Sequence, residues 1–141
     1  MDEMKTLKAN DLRIGNYITS GVNGIFRDDL MFIGKVLEIG NEEREFEQIY
    51  CECEESFEWF FKGNYFGIPL TEKWLLKFGF EWSILHQAHY LNGFDFVIDI
   101  CEHYSRVIKY RRNGEVITRI EYVHQLQNLY IAITGEELTI K

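Results

Sequence analysis

The sequence predicts an α+β protein, on three observations. Runs that alternate apolar and polar residues fill Leu7 to Lys62 and again Glu81 to Ile120. Asn92-Gly93 and Asn113-Gly114 break the second stretch, and Asn-Gly between alternating runs marks a hairpin, because both turn residues are expected at positive φ. "GIPLTEKWLLKFGF" and "YVHQLQNLYIAITGEEL" instead carry helical periodicity and helix-end residues. The expected order is a small SH3-like β subdomain over 1–63. A helix, a four-stranded antiparallel meander and a C-terminal helix follow over 64–141.

In the first region, "LRIGNYITSGVNGIF" joins β-branched and aromatic residues to Gly-Asn and Asn-Gly turns. "LMFIGKVLEIG" places Ile33, Leu37 and Ile39 on one face with Lys35 among them, and Gly34 suggests a bulge or bend. In "FEQIYCEC", Ile49, Cys51 and Cys53 share one side and Gln48, Tyr50, Glu52 and Glu54 the other. Short strands and tight glycine turns favour a small, strongly bent sheet.

The central helix has Thr71 as N-cap and Glu72 where the helix dipole favours an acid. Leu70 and Leu75 suit a hydrophobic staple. Gly79 suits the left-handed position of a Schellman close, with Phe80 folding back on Leu75. After the meander, Thr118 and Glu121 have the spacing of a capping box for the last helix, and Gly135 closes it. Val123, Leu126, Tyr130 and Ile133, joined by Leu129, form the expected buried stripe.

The 141 residues suit one domain or two very small ones, and 46% hydrophobic with 16% aromatic residues is ample for a core. The longest apolar runs fall short of the roughly 20 residues that span a bilayer, and the start lacks a signal-peptide pattern. A cytoplasmic protein with no membrane partner is expected. Three cysteines, an odd number, argue against a disulfide framework.

A net charge of −8 disfavours direct nucleic-acid binding. The charge is unevenly spread. Glu42 to Glu58 holds eight glutamates and one arginine, net −7, while His103 to Arg119 carries +4. The two stretches are expected to be solvated strand faces that attract one another within the chain or across a homodimer.

"LKANDLRIGN", "GIPLTEKWLLKFGF" and "YVHQLQNLYIAITGEEL" resemble a family of small uncharacterised proteins of Bacteroidetes genomes, phages and mobile elements. The resemblance covers the two ends and the central helix. It implies no activity, cofactor or catalytic residue. What it implies is a setting, in which small accessory proteins bind and block something.

Three constellations remain as candidates for chemistry. On the last helix, His124, Gln127 and Asn128 share the face beside the apolar stripe, with Gln125 towards the other flank. A hydrogen-bonded latch is the preferred reading of this row, and a ligand-contacting row the alternative. In the second hairpin, Lys109 and Arg111 share one strand face and Arg106 and Arg112 the other, with Tyr104, Tyr110 and Tyr122 near in sequence. Arginine forks with aromatic platforms hold phosphates and stack bases. Cys51, Cys53, Cys101 and His103 form a weak zinc set, since alternate strand residues present two ligands to one side. His86 and His89 are expected on opposite strand faces. Asp95 and Asp99, about 13 Å apart along a strand, do not make a carboxylate pair. No Walker loop, G-x-G-x-x-G or G-x-S-x-G is present.

The expected function is a non-enzymatic binding protein without a cofactor, sequestering a small anionic or nucleotide-like ligand through Arg106, Lys109, Arg111, Arg112, His124, Gln127 and Asn128. One alternative is blockade of a host protein through Glu47, Glu52, Glu54 and Glu55, whose charge would mimic nucleic-acid phosphate. A small hydrolase using His124 is the other.

Overall fold

The computed structural model describes residues 12–20, 32–39, 48–53, 56–61, 65–100 and 106–141. The chain divides into two compact units, Met1–Ile68 and Pro69–Lys141. Among the described residues each holds one antiparallel five-stranded sheet, and the second also holds two helices. Among the described residues no helix is long and apolar enough to cross a membrane.

The first sheet comprises β1 (Tyr17–Ser20), β2 (Phe32–Ile39), β3 (Gln48–Glu52), β4 (Phe57–Phe61) and β5 (Phe66–Gly67), in the order β4-β3-β2-β1-β5. Because β5 pairs with β1, the first unit runs to Ile68, past the expected boundary at residue 63. Leu12, Ile18, Val36, Cys51 and Tyr65 form its buried cluster, with Ile39 and Cys53 packed against them. The bulge lies between Val36 and Glu38, where the β2–β3 register shifts. Gly34 instead sits in regular register opposite the fully buried Ile18. One extra residue reverses the inward face, so Ile39 packs on the core while Ile33 is exposed. The two therefore do not share a face as expected.

In the second unit, α1 (Glu72–Lys77) forms as its ends dictate. The Thr71 hydroxyl accepts from the Trp74 amide at 3.4 Å. At the far end, Phe80 N–H donates to the Leu75 carbonyl and Gly79 N–H to that of Leu76, with Gly79 at φ +91°. That is the Schellman pair of bonds. Leu70 and Leu75 are both fully buried.

The meander has five strands, not four: β6 (Glu81–Ser83), β7 (Ala88–Tyr90), β8 (Phe96–Ile100), β9 (Arg106–Tyr110) and β10 (Val116–Arg119), in the order β10-β9-β8-β7-β6. The unforeseen turn lies between Ser83 and Ala88, without glycine or proline. The Ser83 hydroxyl accepts from the His86 amide at 3.3 Å, and Gln87 takes the left-handed conformation at φ +48°. In the two Asn-Gly turns only the glycines, Gly93 and Gly114, have positive φ. The second is a wider turn than a two-residue hairpin, with Gly114 N–H bonded to the Tyr110 carbonyl.

Helix α2 (Val123–Thr134) begins at Tyr122 and closes at Gly135, φ +76°. Its cap is not the Thr118/Glu121 box, because Thr118 is paired with Ile108 in the sheet. Gln125 supplies it, its Oε1 accepting from the Glu121 and Tyr122 amides at 2.7 and 3.0 Å. The buried face is also rotated from the expected stripe. Val123, His124, Leu126 and Gln127 are buried, while Ile133 is 44% exposed.

Candidate ligand site in the second unit

The turn after β9 is held open by local bonds. Tyr110 N–H donates to the Glu115 carbonyl at 2.7 Å, and the Asn113 side-chain oxygen accepts from the Glu115 amide at 2.9 Å. Register places this turn beside the one before β8. Phe96 is opposite Tyr110, and Arg111 N–H donates to the Asp95 carbonyl at 2.8 Å. His86, Asp95, Tyr110, Arg111 and Arg112 thereby line a hollow of about 440 Å³. The Arg111 guanidinium lies over the Tyr90 ring, 5.2 Å from its centroid, an arrangement that orients the fork through the ring's negative face. Tyr90 in turn donates its hydroxyl proton to Glu81 at 2.9 Å. That bond, followed by the Glu81 charge, raises the Tyr90 pKa.

The remaining predicted ligand residues are placed elsewhere. Arg106 donates from Nε to the Leu70 carbonyl, just before the α1 cap. Lys109 pairs with Asp99 at 2.8 Å. His124 and Gln127 are each only 3% exposed, and the His124 ring stacks near-parallel on Tyr122, centroids 5.7 Å apart. Burial of His124 counts against a hydrolase built on it. Asn128 is half-buried. None of these five belongs to the hollow's described lining. Sequence reasoning missed His86, Asp95 and Tyr90. The signal for Asp95 was the hairpin register, which sets the two Asn-Gly turns side by side.

The zinc set does not gather among the described residues. Cys51 is fully buried, and burial first, then the neighbouring Cys53, pushes its thiol up to about 12. Cys101 and His103 lie outside the described residues. His86 stands in the turn before β7, whereas His89 is buried in β7 against Trp82, with Nε2 3.4 Å from Glu72.

Of the acidic candidates, Glu52 is exposed on β3 opposite Phe57, while Glu47, Glu54 and Glu55 lie outside the described residues. On this surface the Tyr50 ring packs against Trp59 and Phe57, with centroids 4.9 and 6.1 Å apart. Trp59 and Phe57 remain 43% and 59% exposed.

No protein-family model, curated protein or solved structure matches the chain.

Proposed function

We propose that this chain is a non-enzymatic binding protein that holds a small anionic, nucleotide-like ligand in the hollow at Tyr110–Arg112. The observation that carries the reading is the convergence of Arg111, Arg112, His86 and Tyr110 on one hollow with a single carboxylate, Asp95. Two guanidinium forks against one carboxylate favour an anion, and arginine holds phosphate oxygens in pairs. Tyr110 offers a ring for a base to stack on. Asp95 supplies an acceptor for a ligand hydroxyl or amino group.

The resemblance to proteins of Bacteroidetes genomes, phages and mobile elements suggests a role for such binding: withdrawal of a small molecule from a host defence pathway inside a bacterial cell. In that reading the first sheet is the SH3-like subdomain.

Calorimetric titration with adenosine monophosphate, diphosphate and triphosphate, and with inorganic phosphate, tests the proposal. Arg111→Ala and Arg112→Ala should each weaken binding about tenfold or more, the loss of a charge-assisted bond of about 1.5–3 kcal/mol. Lys109→Ala should leave it nearly unchanged, because Asp99 already neutralises that charge. Absence of binding by every probe, or undiminished binding by Arg111→Ala/Arg112→Ala, overturns the reading.

A further inference from the structure

We propose that Tyr90 and Glu81 are positioning residues of the ligand site: in the free protein they hold the Arg111 guanidinium ready for an anion, without touching the ligand themselves. This rests on the ligand reading above and extends the site to β7 and β6, beyond the hollow's described lining.

Register puts these side chains on one face of the sheet. Glu81 of β6 is opposite Tyr90 of β7, Tyr90 is opposite Val97 of β8, and Val97 is opposite Lys109 of β9. Residues directly opposite share a face, and Arg111, two positions past Lys109, continues it. The Arg111 guanidinium reaches back across β8 to lie 5.2 Å from the Tyr90 ring centroid. That is within the ~6 Å over which a ring face attracts a cation. The Tyr90 hydroxyl is held in turn by Glu81 at 2.9 Å, which fixes the ring and, through an anionic acceptor, makes it richer in electrons.

The use of a ring between the two charges matters. Lys109 meets a carboxylate directly, Asp99 at 2.8 Å, and its charge is cancelled there. Glu81 acts on Arg111 through Tyr90 instead, and among the described residues Arg111 has no ion pair. The guanidinium is therefore held by its face, while its charge and its N–H edge remain for a ligand. Arg112 differs, being exposed and without a ring or carboxylate partner among the described residues. An arginine loses rotamer freedom when a ligand fixes it. The half-buried Arg111 has lost part of that freedom before the ligand arrives.

Two measurements test the proposal. In the free protein, the ring current of Tyr90 should shift the nuclear magnetic resonance signal of Arg111 Nε–Hε upfield of that of Arg112. Tyr90→Phe should keep the shift and Tyr90→Leu should abolish it. The second is calorimetric titration with the tightest-binding of adenosine mono-, di- and triphosphate. Tyr90→Leu should weaken binding about three- to fivefold, as expected for loss of an exposed cation–ring contact. Tyr90→Phe should restore most of the affinity, and Glu81→Gln should fall between the two. In the Arg111→Ala background, Tyr90→Leu should cost nothing further, whereas a merely structural role would cost the same in both backgrounds. Circular dichroism checks that each variant is folded. An unshifted Arg111 signal overturns the proposal, as does an equal cost of Tyr90→Leu with and without Arg111, even where the wild type binds. Failure of every phosphate to bind the wild type overturns the ligand reading, and the positioning role falls with it.

Discussion

Phe80, Phe94, Phe96, Tyr110 and Tyr130 form a continuous series of ring contacts in the second unit, with centroids 5.1–6.4 Å apart. Phe80 and Phe94 within it are almost fully buried. In the first unit, the Tyr50 ring contacts both Phe57 and Trp59, but these two rings stay exposed to water. The two sheets have equal strand numbers and the same kind of neighbouring rings. What differs is what the rings meet. Tyr130 of α2 packs on Phe94, so a helix caps the aromatic series in the second unit. The Tyr50 group has only its own strands around it among the described contacts. Aromatic content alone therefore does not locate a core. The layer placed over the sheet does.

The sharpest way to break this comparison is truncation of one ring on each side. Phe94→Ala should cost about 3–5 kcal/mol in chemical denaturation, as for a buried ring with little room to collapse. Trp59→Ala should cost less than about 1 kcal/mol, because the ring is already substantially hydrated. Equal costs would refute the contrast.

The thiols of the first unit sharpen it further. With its pKa near 12, Cys51 is almost wholly protonated at pH 8, and the thiolate is the reactive form. Mass mapping should find Cys51 alkylated about a hundredfold or more slowly in the native chain than after denaturation, and Cys53 much less protected. The sign of the linkage follows. A folded pKa raised from 9.0 to about 12 means that the stabilisation is complete below pH 9 and is lost as pH climbs from 9 through 12. Denaturation midpoints should fall across that window, and Cys51→Ala should flatten the fall.

Within the basic hairpin, Arg106 and Arg111 should separate. Arg106→Met removes the donor to the Leu70 carbonyl and should lower stability by about 1–2 kcal/mol without changing ligand affinity. Arg111→Ala should do the reverse. A smaller effect is expected at Gly79, where an added Cβ would meet Lys141 Cγ at 3.0 Å with φ at +91°. Gly79→Ala should cost about 1 kcal/mol by thermal or chemical denaturation. Gln125→Ala, which removes the α2 cap, should cost about 0.5–1 kcal/mol.

Features governed by neighbours in sequence were legible. Thr71, Gly79 and Gly135 mark helix ends because capping involves only residues a few positions apart. Cys51 faces inward as its alternation indicates. The turn before β7 was not legible, since Gln87 carries its positive φ with no glycine to announce it. The bulge at Val36–Glu38 was not legible, because a bulge depends on how β3 pairs with β2. The cap of α2 was misassigned because Thr118 was already committed to pairing with Ile108. The site divided along the same line. Arg111 and Arg112 could be named from composition, but His86 and Asp95 join them only through strand register.

The most direct test of the ligand site is native mass spectrometry of the protein isolated without chelators from expressing bacterial cells, before and after incubation with nucleoside mono-, di- and triphosphates. The account predicts one small anionic molecule per chain, lost in Arg111→Ala/Arg112→Ala. A bare mass under every condition, or an adduct that the double variant retains, would contradict it.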